Sequence, residues 1–286
     1  PRDAIIFGLK ELPNDSSALI HRHIMFGHAF KGQKSGLALL KRFKSGGGTL
    51  YDIEYLTEKR GKRVAAFGYW AGYAGAAVSL KVFLALKNNT VCSPLNYYRN
   101  KEVLVSELKD EFSRANFRIP DAIILGALGR VGRGASDFCH TLGLKTTKWD
   151  TEETKDRIFF KEILEYDIFL NCILANKDTP LFFSKEDIKH PRKLSVIGDI
   201  ACDPDSDYNP IPVYNSPTSW YKPSLNICYE QPLSVMAIDN LPSLLPLESS
   251  IDFASQLLPY LEKMDNLNTG VWRCAEKIFR DNIIGA

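Results

Sequence analysis

The first part of the chain mixes short apolar runs with stretches of helical apolar spacing. Ala4 to Leu9 is a nearly continuous apolar run, typical of a buried strand in a parallel sheet. Leucine and phenylalanine recur at helical intervals between Ser35 and Lys44, and three glycines end that predicted helix. Thr49 to Ile53 predicts another strand. Residues 67–86 predict one long helix.

The pattern changes after Pro120, where short apolar strands alternate with predicted helices. Such alternation indicates βαβ units and a doubly wound parallel sheet. The predicted strands are Ala122 to Gly126, Thr146 to Asp150, Asp167 to Cys172, Leu194 to Asp199 and Ser234 to Asp239. Helices return at Ile251 to Leu261 and Val271 to Asn282. We therefore predict an α/β chain of two Rossmann-like doubly wound domains with a cleft between them.

Composition narrows the function classes. The 36 basic residues nearly balance the 34 acidic ones, which argues against nucleic-acid or membrane binding as the main role. Lys81 interrupts the longest apolar stretch, so no run approaches the roughly 18 to 20 residues of a membrane helix. The six cysteines form no Cys-x-x-Cys pair and no zinc-finger spacing. We expect reduced thiols, a cytoplasmic location and no metal site.

A glycine-rich turn follows the strand that begins at Ala122. Its spacing is Gly126-x-x-Gly129-x-x-Gly132-x-Gly134, and an apolar helix comes next. A strand, a glycine turn and a helix in that order are typical of a dinucleotide-binding site, where the helix N-terminus meets the pyrophosphate. Leu128 stands where the usual second glycine would be. A tight strand-to-helix turn with small residues for packing therefore stays open as an alternative.

The next predicted strand ends at Asp150, about 20 residues beyond the turn, where an acidic side chain meets the adenosine ribose. A carboxylate there accepts a hydrogen bond from the 2′-hydroxyl and repels a 2′-phosphate, which favours NAD over NADP. The alternative for Asp150 is a cap for a helix over Thr151 to Ile158, and the two roles are compatible.

Two residues are candidates for acid–base chemistry. Lys10 follows the first apolar run, and a partly desolvated lysine can act as a base near neutral pH. His28 lies in a second strand-like segment and titrates in a useful range. A surface ion pair for Lys10 and a structural role for His28 remain the alternatives from spacing alone.

Several segments, colinear along the chain, resemble the NAD-dependent, lysine-forming saccharopine dehydrogenase family. They include Gly8 to Pro13, Phe26 to Gln33, Gly48 to Glu54, Arg63 to Gly68, Gly126 to Arg130, Lys148 to Asp150, Asn209 to Pro212 and Ile238 to Pro246. The resemblance implies an oxidoreductase of lysine biosynthesis or metabolism, which converts saccharopine to L-lysine and 2-oxoglutarate reversibly with NAD. It also implies small-molecule partners only, and we expect a monomer or weak oligomer.

The resemblance also implies roles for particular residues. Lys10 would take the proton from the secondary amine of saccharopine, and His28 would serve the water that hydrolyses the imine. The residues implied at the substrate are Gln33, Arg63, Phe67, Asp199, Ile200 and Ala201. The residues implied at NAD are Lys62, Gly126, Gly129, Arg130, Asp150, Thr154, Leu174, Gly198, Ile238, Asp239, Asn240 and Leu241.

The predicted elements assign residues 1–70 plus 243–286 to one domain and residues 71–242 to a second. The resemblance implies that the first is the substrate and catalytic domain and that the second binds NAD. The family resembled has a further segment before the position of Pro1, so we expect the first domain to be incomplete at its N-terminus. Two alternatives stay open: an amino-acid dehydrogenase of the alanine dehydrogenase type, and a truncated, non-catalytic NAD-binding module.

Overall fold

A computed structural model describes residues 1, 3–10, 12, 13, 15–31, 34–58, 61–115, 118–155, 157 and 159–285, with the side chains of Lys10 and Ala115 outside this description. Within these residues the strands are β1 (Ile5–Lys10), β2 (Arg22–Phe26), β3 (Thr49–Asp52), β4 (Asp121–Leu125), β5 (Lys145–Trp149), β6 (Ile168–Asn171), β7 (Val196–Asp199), β8 (Leu225–Cys228) and β9 (Leu233–Met236). The α-helices are α1 (Lys34–Gly46), α2 (Gly68–Lys87), α3 (Lys101–Ala115), α4 (Arg130–Thr141), α5 (Thr151–Thr154), α6 (Pro246–Leu261) and α7 (Gly270–Ile283). The chain divides into unit 1, residues 1–66 and 251–286, and unit 2, residues 67–250.

Unit 1 is built on three parallel strands in the order β1-β2-β3. Alternate residues of a strand face opposite layers. Ile24 and Tyr51 pack on one side with residues of α6 and α7, whereas Met25 and Leu50 pack on the other side with residues of α1. All three strands run in the same direction, so their carboxyl ends meet at one edge of the sheet, the carboxyl edge. Strand β1 is an outer strand, and its Phe7 side chain is 51% exposed.

Unit 2 holds a six-stranded sheet in the order β5-β4-β6-β7-β9-β8. Its strands pair in parallel, except that β8 runs antiparallel to β9. Helices α2 and α4 belong to the core on one face of the sheet, and a cluster rich in phenylalanine, including Phe160, Phe182 and Phe183, covers the other face. These parallel sheets confirm the predicted α/β fold. The cleft between the domains stays a prediction.

Helix α2 is the centre of the unit 2 core. It crosses α4 so closely that a Cβ on Gly72 would lie 1.8 Å from the Val131 carbonyl oxygen, and a Cβ on Gly134 would lie 1.8 Å from that of Tyr69. By length and composition α2 would suffice to cross a membrane, contrary to the expectation from the Lys81 interruption. Most of its residues are buried in unit 2, including Lys81, which pairs with carboxylates of α3.

The crossovers of unit 2 differ from the predicted alternation of strands and helices. Only the β4–β5 connection carries a long α-helix among the described residues, whereas the β6–β7 connection holds a 3-10 turn at Asp187–Lys189. Phe182 and Phe183 of this connection pack in the cluster on the sheet face opposite α2, so side chains of an irregular segment cover that face in place of a long helix. The predicted helix over Thr151 to Ile158 is wrong in length: α5 ends at Thr154, and Ile158 lies outside the described residues. Strand β8 was not predicted.

Candidate functional site

In unit 2 the strand β4 enters α4 through the turn from Gly126 to Gly129. Gly126 has φ +78°, a conformation that glycine adopts without steric strain. Its N–H donates to the Trp149 carbonyl oxygen at 2.8 Å, which ties the turn to the end of β5. Gly129 is the N-cap of α4 and has no side chain, so the first helical turn presents backbone N–H groups without a capping side chain.

Asp150 connects this turn to the next strand end. Its Oδ2 accepts the Leu128 N–H at 2.9 Å, and its Oδ1 accepts the Thr151 N–H at 2.9 Å. Glu153 completes a capping box, since its carboxylate accepts the Asp150 N–H at 2.7 Å. The predicted cap is therefore confirmed, with a shorter helix. The structure also places Asp150 against the glycine-rich turn, as a ribose-binding carboxylate requires.

Arg130, Thr154 and Leu174 are three further residues predicted to bind NAD. Thr154 donates its hydroxyl to the Asp150 carbonyl oxygen at 2.9 Å. Arg130 is the first residue of α4 and packs its methylene groups near Gly68. Leu174 follows β6 and is 80% exposed. The turn, Asp150 and Leu174 thus lie beyond the carboxyl ends of β4, β5 and β6, where doubly wound sheets bind ligands.

The predicted residues at the end of β7 are mostly interior. A Cβ on Gly198 would lie 2.2 Å from the Ser79 hydroxyl of α2, so close packing explains this glycine. Ile200 is buried and packs near Gly75. Ala201 is partly exposed. The contacts assigned to these residues with NAD or substrate stay predictions, with interior packing as the observed environment for Gly198 and Ile200.

Asp199 lies in a buried polar network. Its Oδ2 accepts the Tyr214 hydroxyl at 2.7 Å, and its Oδ1 accepts the Asn171 amide at 2.9 Å and the Cys202 N–H at 3.3 Å. Burial raises the pKa of Asp199 by more than these hydrogen bonds lower it, so the net pKa is above its usual range. Burial and the neighbouring Asp199 carboxylate raise the pKa of Tyr214. These hydrogen bonds tie Asp199 to β6 and to the chain after β7, and its substrate contact stays a prediction.

The predicted segment after β9 divides between core and surface. Ile238 and Leu241 are buried, whereas Asp239 and Asn240 are exposed. The Asn240 side-chain oxygen accepts the Trp220 indole N–H at 2.8 Å. Only the two polar residues of this segment therefore present side chains to solvent.

In unit 1 the candidate acid–base residues follow neighbouring strand ends. Lys10 is the last residue of β1 and pairs with Phe26 of β2 in the sheet register. His28 comes two residues after Phe26, with φ +46°, a left-handed conformation that is uncommon for a residue other than glycine. The Lys10 side chain and all of Gln33 lie outside the described residues. The backbone nevertheless brings Lys10 and His28 to the same edge of the sheet.

Glu54 is the centre of a charged cluster at this edge. Its Oε1 lies 3.0 Å from the Lys31 ammonium and 2.6 Å from an Arg63 guanidinium nitrogen. Its Oε2 lies 3.5 Å from His28 Nδ1. Burial raises the pKa of Glu54, but the Lys31 hydrogen bond and the Arg63 charge lower it by more, so the net pKa is below its usual range.

Arg63, predicted to bind a substrate carboxylate, is held by Glu54. Besides the ion pair, its Nε donates to the Glu54 carbonyl oxygen at 3.0 Å. Lys62 is exposed, and Phe67 is the N-cap residue of α2, at the start of unit 2. The ligand contacts predicted for these three residues are not tested by these observations and stay predictions.

Sequence reasoning did not select Glu54 as a site residue. The available signal was its position directly after the predicted strand Thr49 to Ile53; in the structure it lies two residues after β3, the same offset that His28 has from β2. A carboxylate in such a loop has no distinctive spacing. Only the parallel order β1-β2-β3 brings it beside His28.

Comparison with known proteins gives consistent relatives. The family described as alanine dehydrogenase/PNT, C-terminal domain, matches residues 141–284. A saccharopine dehydrogenase (NAD(+), L-lysine-forming) from Emericella nidulans is 41% identical over 300 residues, covering 99% of this chain and 80% of the relative. The protein of the same name from Candida glabrata is 42% identical, covering 98% of this chain and 79% of the relative.

Among solved structures, an L-alanine dehydrogenase superposes with a TM-score of 0.58 at 15% sequence identity. The match covers 96% of this chain and 79% of that chain. At this identity the likeness concerns the fold alone, and it agrees with the Rossmann architecture of unit 2.

Proposed function

Because this chain belongs to the NAD-dependent, L-lysine-forming saccharopine dehydrogenase family, we propose that it oxidatively deaminates saccharopine to L-lysine and 2-oxoglutarate. The observation that carries the proposal is identity of about 40% over nearly the whole chain. The protein is accordingly an oxidoreductase acting on a CH–NH bond. Saccharopine, lysine and 2-oxoglutarate are its small-molecule substrates and products.

NAD is the cofactor, and unit 2 has the features that fit it. The uncapped first turn of α4 suits a pyrophosphate, because helix N-termini bind anions through free N–H groups. Asp150, already hydrogen-bonded to the Leu128 N–H of the same turn, suits the ribose hydroxyls. When bound, NAD supplies a hydride acceptor for the carbon that bears the secondary amine.

The remaining chemistry is proton transfer and orientation, which we assign to unit 1. Lys10 accepts the proton of the secondary amine as the carbon–nitrogen bond becomes an imine. His28 takes a proton from the attacking water and returns it to the departing amine, so the carbinolamine breaks into lysine and 2-oxoglutarate. Glu54, whose Oε2 lies 3.5 Å from His28 Nδ1, helps to orient the imidazole. Overall, saccharopine, NAD⁺ and water give lysine, 2-oxoglutarate, NADH and a proton.

An amino-acid dehydrogenase of the alanine dehydrogenase type is the second candidate. Two observations favour it: the matching C-terminal domain family and the fold similarity to an L-alanine dehydrogenase. Both concern architecture shared by the two enzyme types. The 41% identity to saccharopine dehydrogenase favours the first candidate.

A substrate panel separates the candidates. NADH oxidation is followed with L-lysine plus 2-oxoglutarate, with ammonia plus pyruvate, and with each compound omitted in turn. We expect turnover only with lysine plus 2-oxoglutarate. Turnover with ammonia plus pyruvate alone would establish the second candidate. If the protein binds NADH but turns over neither mixture, it is a non-catalytic NAD-binding module and not an enzyme of either type.

A cytoplasmic location and a monomeric or weakly oligomeric state complete the proposal. All six cysteines are free thiols, the state that a reducing compartment maintains. Cell fractionation and light scattering of the purified protein test these two points.

A further inference from the structure

Asp52 is a buried carboxylate at the end of β3. It is 0% exposed, and the register of the parallel sheet pairs it with Met25 near the end of β2. Burial raises its pKa, which is the expected effect of removing a charge from water. Its Oδ2 is also buried without a hydrogen-bond partner among the described residues. Burying a carboxylate costs free energy unless other groups compensate for the lost water, so the groups around Asp52 indicate what it does.

The contacts of Asp52 reach two backbone turns. Its Oδ1 accepts the Glu54 N–H at 3.0 Å and so caps the 3-10 turn that begins at Ile53. The Gly27 N–H interacts with the same carboxylate and lowers its pKa. A Cβ on Gly27 would lie 3.0 Å from Asp52 Oδ2 and 2.6 Å from a Leu50 methyl group. The turn after β2 therefore packs directly on Asp52 and Leu50.

These two turns present the residues that face each other at the sheet edge. His28 follows Gly27 and has the left-handed φ of +46°. Glu54 has its Oε2 3.5 Å from His28 Nδ1. A residue stays in an uncommon backbone conformation only where the surrounding structure holds it there. Asp52 and Leu50 supply that restraint for the turn that carries His28.

We propose that Asp52 is a positioning residue for His28. Its buried carboxylate holds the turn of Gly27 and His28 and the turn of Glu54 in place relative to each other. This inference rests on the acid–base role proposed above for His28. Asp52 itself touches neither substrate nor cofactor in this proposal. Its contribution is to keep the imidazole and the Glu54 carboxylate facing each other.

A double-mutant cycle of Asp52→Asn and His28→Gln in the full protein tests the inference. Asparagine conserves the volume of Asp52 and keeps one acceptor oxygen, so we expect folded protein with an unchanged Kd for NADH. We expect kcat to fall about 10- to 100-fold, the effect of a small misplacement of a catalytic group. In the His28→Gln background, Asp52→Asn should cause no further loss, because residues that act as a unit are not additive.

If the fall in kcat of the double variant equals the product of the falls in the two single variants, the inference is overturned, since Asp52 would then act independently of His28. Full activity of His28→Gln alone would instead refute the proposed role of His28, so the two failures are distinguishable. Tyr51→Phe is the matched control. It removes a hydroxyl from the neighbouring buried residue, whose ring contacts Trp272, and should leave kcat unchanged.

Gly27→Ala provides a second route to the same turn if Asp52→Asn does not fold. Its new methyl group would press directly on Leu50 and Asp52. We expect the same selective fall in kcat and the same lack of additivity with His28→Gln. Additive losses in this cycle would contradict the inference as firmly as in the first.

Discussion

At the residue scale, Asp150 uses the two oxygens of one carboxylate for different contacts. Oδ1 caps α5 through the Thr151 N–H, whereas Oδ2 accepts the Leu128 N–H in the glycine-rich turn. The first contact was predictable, because aspartate before a helix is a common cap. The second needed the structure, since Leu128 and Asp150 belong to different strand ends.

Asp150→Ser should weaken NADH binding and narrow the preference for NAD over NADP. Serine keeps an N-cap oxygen but removes the charge, and a hydrogen bond to a charged group contributes about 1.5 to 3 kcal/mol, or roughly 10- to 100-fold in affinity. Fluorescence titration and the ratio of kcat/KM values measure the two effects. Glu152→Gln, an exposed neighbour, is the control. An unchanged ratio in Asp150→Ser would count against ribose binding.

Lys10→Met should keep the affinity for NADH but lower turnover by about 10² to 10⁴, the loss typical of a general acid–base group. Methionine has a similar length without the ammonium. Binding titrations and steady-state kinetics with lysine plus 2-oxoglutarate separate the two quantities. Lys41→Met, an exposed lysine of α1, should behave like the wild type. Full activity of Lys10→Met would refute the proposed base.

At the element scale, close helix packing explains part of the glycine-rich motif. Gly126 and Gly129 shape the turn, whereas Gly134 lies where α4 crosses α2. The two sequence interpretations, a dinucleotide turn and a packing requirement, thus apply to different glycines of one motif. The sequence predicted α2 as one long helix, yet it could not show that the irregular segment between β6 and β7 would cover the opposite face of the sheet without a long helix.

Gly134→Ala should destabilise unit 2 by about 1 to 3 kcal/mol, the usual cost of overpacking a tight interior. The added methyl group would meet the Tyr69 carbonyl oxygen and force α2 and α4 apart. Urea unfolding followed by tryptophan fluorescence measures the change. Gly285→Ala, with no atom within 4 Å of its added Cβ, is the control. Equal urea midpoints for the two variants would contradict this prediction, because they would show that α2 and α4 can move apart without loss of stability.

At the scale of the whole molecule, charge stabilises the end of the unit 2 sheet opposite the proposed NAD turn. Lys193 Nζ lies 2.6 Å from Asp121 and 3.3 Å from the buried Asp167, which also pairs with Arg118. Burial raises the pKa of Asp121, but hydrogen bonds from Lys193 and from the Asp167 N–H lower it by more. The amino ends of β4, β6 and β7 are thereby joined.

Lys193→Met should therefore destabilise the protein by about 1 kcal/mol at pH 7, with a smaller effect in acid. Because the folded pKa of Asp121 is depressed, its contribution is present above the unfolded value of about 3.9 and is lost as pH falls through the lower folded value. Urea midpoints at pH 7 and about pH 3 test this. Lys189→Met, which breaks an exposed pair with Glu186, should change stability little. A difference that grows in acid would contradict the assignment.

The sequence by itself determined the strand, glycine turn and helix around Gly126, the cap at Asp150, and most strand positions. These features depend on neighbours within a few residues, where periodicity and backbone preference act directly. It missed β8, because a short edge strand of half-buried residues carries little apolar pattern. The acid–base assignment of Lys10 and His28 came from family resemblance, since spacing left both open.

Only the tertiary structure decided which distant groups meet. Strand order places Glu54 beside His28 and Asp52 against Gly27, and it sets the Leu128 N–H on Asp150. These contacts join segments that are separated along the chain by two dozen residues or so, so their geometry follows from sheet register and packing. A pattern within a few residues does not show which strands pair, and that pairing decides which distant side chains meet.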